Sequence, residues 1–455
     1  MSMRKPWMHL FVLVALAIPS LADSQVRIVR LSDVEGNVQI DRNTGQGYEK
    51  AFLNLPITQG AKLRANAEGR AEIEFENGST LRIIPGTVIE FPELSMRDSG
   101  AKVTAVKLQE GTAYLNFNGA QDDEFTLNFG REKLALTRSV RLRLAMADTD
   151  ATLAVFKGDV EVTGPSGSVQ MGKKQTATFD LADQDRYTLA KNLEKDPYDD
   201  WDKHQEEYHQ RYLTSSYRTY SPYAYGMSDL NYYGNYFNAA GYGTLWQPYF
   251  TGAGWDPFMN GSWAWYPGFG YTWVSSYPWG WTPYRYGSWV NVPGYGWAWQ
   301  PGGSSVGWNT VPRVINPPRQ FTPPQPPVTS AHNTIVVQRG PSVTQPRAGD
   351  KVVIRGDSAG LGIARGSIRD LGKVSQQVRQ EGSVTTKVHS EPVRTSVMSA
   401  SPASRGTSTS GASASRTAAP RSRVSSPAPR MSTPSARSAP PARSAPSPHT
   451  TSPHK

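Results

Sequence analysis

Ala71-Glu72-Ile73-Glu74-Phe75-Glu76-Asn77-Gly78-Ser79-Thr80-Leu81-Arg82-Ile83 is the stretch that decides the fold class. Apolar Ala71, Ile73 and Phe75 alternate with Glu72, Glu74 and Glu76, the period of a strand with one apolar and one acidic face. Asn77-Gly78 turns the chain, and Leu81 and Ile83 resume the apolar face. A two-residue loop would pair Phe75 with Thr80 and place the apolar residues on opposite faces. A three-residue loop, Glu76-Asn77-Gly78, keeps them together and puts Gly78 in a left-handed conformation. Three acids on one face of a half-buried strand predict a solvated face, with a catalytic or calcium-binding cluster as the alternative.

The alternation returns at Phe125, Leu127 and Phe129, and again at Val140, Leu142 and Leu144 with Arg141 and Arg143 between them. Turn signals recur at Gly36, Gly60, Gly86, Gly111 and Gly158. Many short strands without helical periods predict an all-β domain over residues 26–189, as a sandwich, barrel or solenoid.

Three motifs here resemble the extracytoplasmic FecR-like domain, over roughly Val26 to Thr178. They are Val34-Glu35-Gly36-Asn37-Val38, Asn77-Gly78-Ser79-Thr80-Leu81-Arg82-Ile83 followed by Pro85, and Val155-Phe156-Lys157-Gly158-Asp159-Val160. Proteins of that family relay a signal from an outer-membrane siderophore receptor to a sigma factor, through a cytoplasmic segment ahead of a membrane helix. Here Met1 to Met8, with His9 after them, precede the first apolar run. The resemblance therefore implies the fold and an extracytoplasmic setting, with an accessory part in such signalling as one expectation.

Upstream, Arg4 and Lys5, the apolar run Leu10–Ile18 and Ser20-Leu21-Ala22 read as a cleavable export signal over residues 1–22. The run is too short for a comfortable permanent span, and no later stretch is long and apolar enough for one. The expected setting is periplasmic or extracellular. Cysteine is absent from the 455 residues, which excludes disulfides, thiolate nucleophiles and sulfur-ligated metals.

Downstream, residues 190–215 predict a helical connector, with Trp201, Tyr208 and Tyr212 at helical spacing. His204 and His209, five apart, fall on different parts of its surface and are expected to be solvated. Residues 229–303 form a module rich in Trp, Gly and Tyr that repeats at an offset of 26. Laying Trp255 on Trp281 superimposes Gly261 on Gly287, Trp263 on Trp289, Phe269 on Tyr295 and Trp273 on Trp299. The segment Pro278–Trp289, with Gly296-Trp297-Ala298-Trp299 after it, resembles a tryptophan-rich domain of unknown function that follows FecR-like domains in exported bacterial proteins. Trp263, Trp273, Trp289 and Trp299, matched in both copies, are expected in the core. Trp279 and Trp297 lack tryptophan partners in the other copy, so with Arg285 they are the candidates for ligand stacking.

Residues 312–455, rich in Pro, Ser, Ala and Arg, predict a disordered tail. From Pro392 to Lys455 there are eight Arg and one Lys without an acid, so residues 392–455 carry +9 of the net +10. The rest of the chain is nearly neutral. Nucleic acid is not expected as a partner, because the aromatic module lacks the positive groove that base stacking requires.

Enzyme chemistry lacks a base. The seven histidines are His9, His204, His209, His332, His389, His449 and His454, none inside either expected domain. No catalytic, metal or cofactor residues are assigned on that ground. The expectation is a mainly β, non-catalytic, exported envelope protein that binds or scaffolds. Its partners would be an envelope protein, an envelope polysaccharide held by the aromatic module, or an anionic surface touched by the tail.

Overall fold

The computed structural model describes residues 27–119, 122–183, 186–302, 311–328, 335–339 and 349–388. The expected export signal and everything beyond residue 388 lie outside the described residues.

Seventeen strands between Val29 and Ala190 form one continuous hydrogen-bonded sheet, which doubles into two layers. One layer runs Val29–Glu35, Arg70–Glu74, Thr80–Ile83, the second half of Lys102–Phe117, Val140–Met146, Asp150–Lys157 and Gln175–Asp180. The other runs Val38–Asp41, Lys62–Ala65, Thr87–Met96, the first half of Lys102–Phe117, Glu124–Phe129, Glu132–Leu136 and Val160–Gly164. Strand Lys102–Phe117 thus serves both layers. Gly111 sits between its halves at φ +82°, where a Cβ would stand 2.4 Å from the Gly86 carbonyl oxygen. Only glycine fits that corner.

The decisive hairpin forms as its sequence predicts. Ala71 opposes Ile83 and Ile73 opposes Leu81. The Phe75 amide donates to the Ser79 carbonyl at 2.9 Å, and Gly78 has φ +78°. Ile73, Leu81, Leu115, Leu142 and Phe125 meet in the apolar interior between the layers.

Helix α1 (Asp199–Tyr212) follows as the connector, and a short helix α2 (Met227–Tyr233) opens the aromatic module. That module holds three hairpins of one design, one more than the 26-residue repeat indicates. They pair Gly234–Ala239 with Gly243–Pro248, Gly261–Tyr266 with Gly270–Ser275, and Ser288–Val292 with Gly296–Gln300. In each, two aromatic residues are directly opposed: Tyr236 and Trp246, Trp263 and Trp273, Trp289 and Trp299. Each also carries a glycine beneath the second ring. A Cβ on Gly234 or Gly261 would lie 2.4 or 2.3 Å from the ring of Trp246 or Trp273, and one on Gly287 would lie 2.6 Å from the Trp299 indole nitrogen. The glycine makes room for the tryptophan, so the pair recurs as a unit. The first and third hairpins share a five-stranded sheet with Arg313–Ile315, and the second pairs with Ile335–Arg339. Trp263, Trp273, Trp289 and Trp299 are buried, as expected for the matched positions, and Trp246 is buried with them.

Residues 349–388 do not follow the expectation of a disordered tail from residue 312. Strands Lys351–Arg355 and Ser383–Lys387 pair, with helix α3 (Leu371–Glu381) between them. The Asp370 carboxylate accepts from the Lys373 amide at 3.1 Å and caps that helix. Ile354, Ala359, Ile363, Leu371 and Val378 pack into the aromatic core. Averaging composition to the chain end hides this segment, because its few apolar residues are buried against another body's rings.

Candidate functional site

The outward face of the first layer carries the molecule's densest charge. Strand alternation dictates which side chains meet there: Arg30 opposes Glu74, Glu72 opposes Arg82, Arg82 opposes Tyr114, and Tyr114 opposes Arg143. This face is covered by α1, α2 and the segment 357–368. Glu72 and Glu74 are completely buried and Glu76 is 5 % exposed, which corrects the expectation of a solvated acidic face. The alternation is right, and a second polar body covers the polar side.

Glu72 is the hub. Its Oε2 takes the Arg82 Nε at 2.8 Å, and its Oε1 takes Arg365 Nη1 at 2.6 Å, His209 Nε2 at 2.9 Å and the Ser32 hydroxyl at 2.7 Å. Arg82 reaches on to Asp202 of α1 at 2.7 Å, where Arg141 adds a contact at 2.5 Å. Arg30 bridges Glu74 at 3.1 Å and Asp229 of α2 at 2.6 Å, and it donates to the Pro278 carbonyl at 2.8 Å. Tyr208 donates to Asp229 at 2.8 Å. At the margin Arg27 makes a bidentate pair with Glu76 at 2.7 and 2.9 Å.

Burial alone would raise the Glu72 carboxyl, but His209, Arg365 and Arg82 outweigh it and hold the group well below its usual range. Asp229 is likewise held low against burial by Arg365 and Arg30. Glu74, next to one arginine, is raised by burial, and its Oε1 has no hydrogen-bond partner. Asp33 is pushed up to about 7 by burial, with Glu35 adding to it. The junction therefore keeps some carboxylates charged and favours a proton on others.

His209 departs from the sequence expectation. It is 5 % exposed, with Nδ1 at 3.1 Å from the Ser228 hydroxyl and Nε2 on Glu72. His204 on the same helix is exposed. Ser228, His209 and Glu72 have the composition of a hydrolytic centre, which the sequence reading did not foresee. Asp202 and His209 share the inward stripe of α1 with Trp201 and Tyr208, and their seven-residue spacing is the signal that places them together.

The residues expected to stack on a ligand lie inside. Trp279 has no exposed surface, stacks on Tyr277 at 4.9 Å and 7°, and donates its indole N–H to the Ala359 carbonyl at 2.7 Å. Trp297 is 5 % exposed, with Phe321 at 4.7 Å. Arg285 is 7 % exposed, lies 4.9 Å over the Trp281 ring and donates to Thr272 at 2.8 Å, and burial lowers its pKa. These positions lack partners in the repeat because they fill the space where the module meets its neighbours. Among the described residues of the aromatic module the exposed ring is Tyr295, 56 % accessible and stacked on Phe237 at 5.2 Å. No group of three or more metal-ligating side chains occurs among the described residues.

The sequence matches two family profiles. Residues 61–161 match the FecR protein family, and residues 227–320 match DUF6600, a family of unknown function. No curated protein matches. Two crystal structures of a protein from Parabacteroides distasonis, described as a candidate anti-sigma factor, share 15 % identity with a TM-score of 0.26. The alignment covers 29 % of this chain and 59 % of that one, less than two thirds of its length. The chain thus carries a FecR-family segment, whose strand holds Glu72, followed by a DUF6600 segment, whose first helix holds Asp229.

Proposed function

We propose that this is a non-catalytic, exported envelope protein that acts as a scaffold in FecR-type signalling and meets another envelope protein. The observation that supports a scaffold is the ionic junction, which joins the two family segments through buried charge rather than through a flexible tether. Export rests on the leader-like sequence of residues 1–22. The absence of catalysis rests on access: Ser228 is 1 % exposed, and the Glu72 carboxylate beside His209 is already held by two arginines. Fractionation with N-terminal sequencing of the mature chain, combined with crosslinking in cells, tests the proposal. Retention in the cytoplasm, or no crosslink to an outer-membrane receptor or inner-membrane regulator, would refute it.

A second reading, glycan binding by the aromatic module, is favoured by Tyr295. Its ring is open beside Phe237, and Asn235, on the Phe237 face of the same strand, is exposed and uncharged, a chemistry suited to a neutral sugar face. Retention on insoluble envelope polysaccharide that drops with Tyr295→Ala supports this reading. Retention unaffected by that change removes it. The basic tail is proposed to touch anionic surfaces, and deleting residues 392–455 should then reduce low-salt membrane association.

A further inference from the structure

Segment 357–368 has no regular secondary structure, yet it is held like a bound peptide. Its backbone is gripped by side chains: Trp279 donates to the Ala359 carbonyl at 2.7 Å, Tyr233 to the Ile363 carbonyl at 2.9 Å, and Tyr232 to the Ile368 carbonyl at 2.9 Å. The Ala359 amide donates to the Phe250 carbonyl at 3.0 Å. One side chain is specified. Arg365 enters the junction with its side chain 6 % exposed, bonds Glu72 at 2.6 Å and Asp229 at 3.1 and 3.2 Å, and donates to the Ser32 carbonyl at 2.7 Å. Its guanidinium lies 5.0 Å over the Tyr208 ring. Gly366 follows at φ +67°, and a Cβ there would lie 3.3 Å from Tyr208.

The division of labour is uneven. Glu72 falls within the FecR-family match, and Asp229, Tyr232, Tyr233, Phe250 and Trp279 fall within the DUF6600 match. The segment that fills their groove lies outside both. The seat is also anion-rich. Asp33, Glu72, Glu74, Asp202 and Asp229 are all buried, and without Arg365 the buried guanidinium groups that contact them are Arg30 and Arg82, with Arg141 partly exposed at the edge.

We propose that this groove is a peptide-binding site for a glycine-containing segment of consecutive turns presenting an arginine between small residues, and that residues 357–368 occupy it in cis as a displaceable plug. Backbone-directed bonds from tyrosine and tryptophan accept a chain that can take the same glycine turns, while the carboxylate pair with its aromatic lid selects the guanidinium. A partner's arginine peptide would enter by competition, and release of the plug would free residues 349–388. The proposal concerns the groove alone and does not depend on where the protein works.

The test uses the full mature chain and a labelled synthetic peptide of residues 357–368, with a second peptide carrying Arg365→Ala. The apparent affinity of an occupied site is reduced by the fraction of time it stands empty. The Arg365→Ala chain should therefore bind the arginine peptide at least ~10-fold tighter than the wild-type chain does, and neither chain should bind the alanine peptide. Equal binding of both peptides, or no saturable binding by a folded Arg365→Ala chain, would overturn the site. Hydrogen exchange on the wild-type chain decides the matter if that variant fails to fold. The Ala359 amide should exchange faster than the Ile73 amide, and excess arginine peptide should speed it further. Exchange of both amides together, unaffected by peptide, would mean the groove empties only on global unfolding and would sink the proposal. A concentration-dependent dimer made by exchange of the plug would also overturn it, naming a second copy as the occupant.

Discussion

Strand Arg70–Glu74 and its hairpin separate two interiors that are equally dry. On one side Ala71, Ile73 and Phe75 are 0–2 % exposed, and on the other Glu72, Glu74 and Glu76 are 0–5 % exposed. The apolar interior is assembled from neighbours in one sheet system and is indifferent to which aliphatic group fills it, provided volume is kept. The ionic interior is assembled from stretches around residues 30, 72, 82, 202, 209, 229 and 365, each supplying one required side chain. The contrast shows that dryness does not identify what stabilises a region. Close packing sets the tolerance on one side, and pairing sets it on the other.

Glu72→Ala is the change with the largest expected effect. It strips a buried carboxylate from Arg82, Arg365 and His209, at a cost of about 3–5 kcal/mol, read as a shift in the denaturant midpoint. Ile73→Ala, the adjacent residue facing the other way, should cost roughly 2–5 kcal/mol. If Glu72→Ala proves nearly neutral while Ile73→Ala does not, the ionic side contributes little and the comparison fails.

The two interiors should also differ with pH. Asp33 has a folded pKa of about 7 against an ordinary 3.8, so the folded state holds a proton that the unfolded state releases. Its contribution is complete below 3.8 and is lost as pH rises to about 7, by up to ~4 kcal/mol at about 1.4 kcal/mol per unit. Glu72 and Asp229 act in the opposite sense. Their depressed values add stability above the ordinary carboxylate range, which disappears as pH falls through the folded values. Unfolding measured from pH 4 to 8 should show a decline that Asp33→Asn reduces, the raised Glu74 carboxyl keeping a part of it, while the acid limb stays intact. A slope unchanged by Asp33→Asn would remove Asp33 from the junction's proton balance.

Smaller effects sharpen the picture on the aromatic side. Gly261→Ala forces a methyl against the Trp273 ring at 2.3 Å and should cost about 1–3 kcal/mol by overpacking. Gly268→Ala, at a tip with open space but φ +77°, should cost only the backbone strain, about 1–2 kcal/mol. Tyr295→Ala, on the surface, should stay within about 0.5 kcal/mol, so that any loss of binding it causes is not a loss of fold.

Much of this was legible in the sequence. The alternation around Ile73, the three-residue loop with Gly78 and the buried positions of Trp263, Trp273, Trp289 and Trp299 follow from local rules. The fate of the acidic face does not, because nothing within residues 71–76 says what lies above it. The available hint was charge of opposite sign on strands that must be neighbours, Arg82 and Arg141 among them. The extra hairpin, first in chain order, was visible as well: Gly241-Tyr242-Gly243 and Trp246 precede Gly268-Phe269-Gly270 and Trp273 by a constant 27 residues. Trp279 and Trp297 are buried although they lack repeat partners, because unmatched positions are where a repeat meets what surrounds it. Arg365 could not be found this way, since no local period links it to a glutamate 293 positions earlier.

Glu72 also bears on the order in which the molecule can mature. A chain emerging amino end first exposes this carboxylate early, can satisfy it with Arg82 almost at once and with His209 only after α1 has followed. The final counter-charge arrives when residue 365 does. Until then the sheet's outer surface remains hydrated and unfinished, so the body closes only once residue 365 is available.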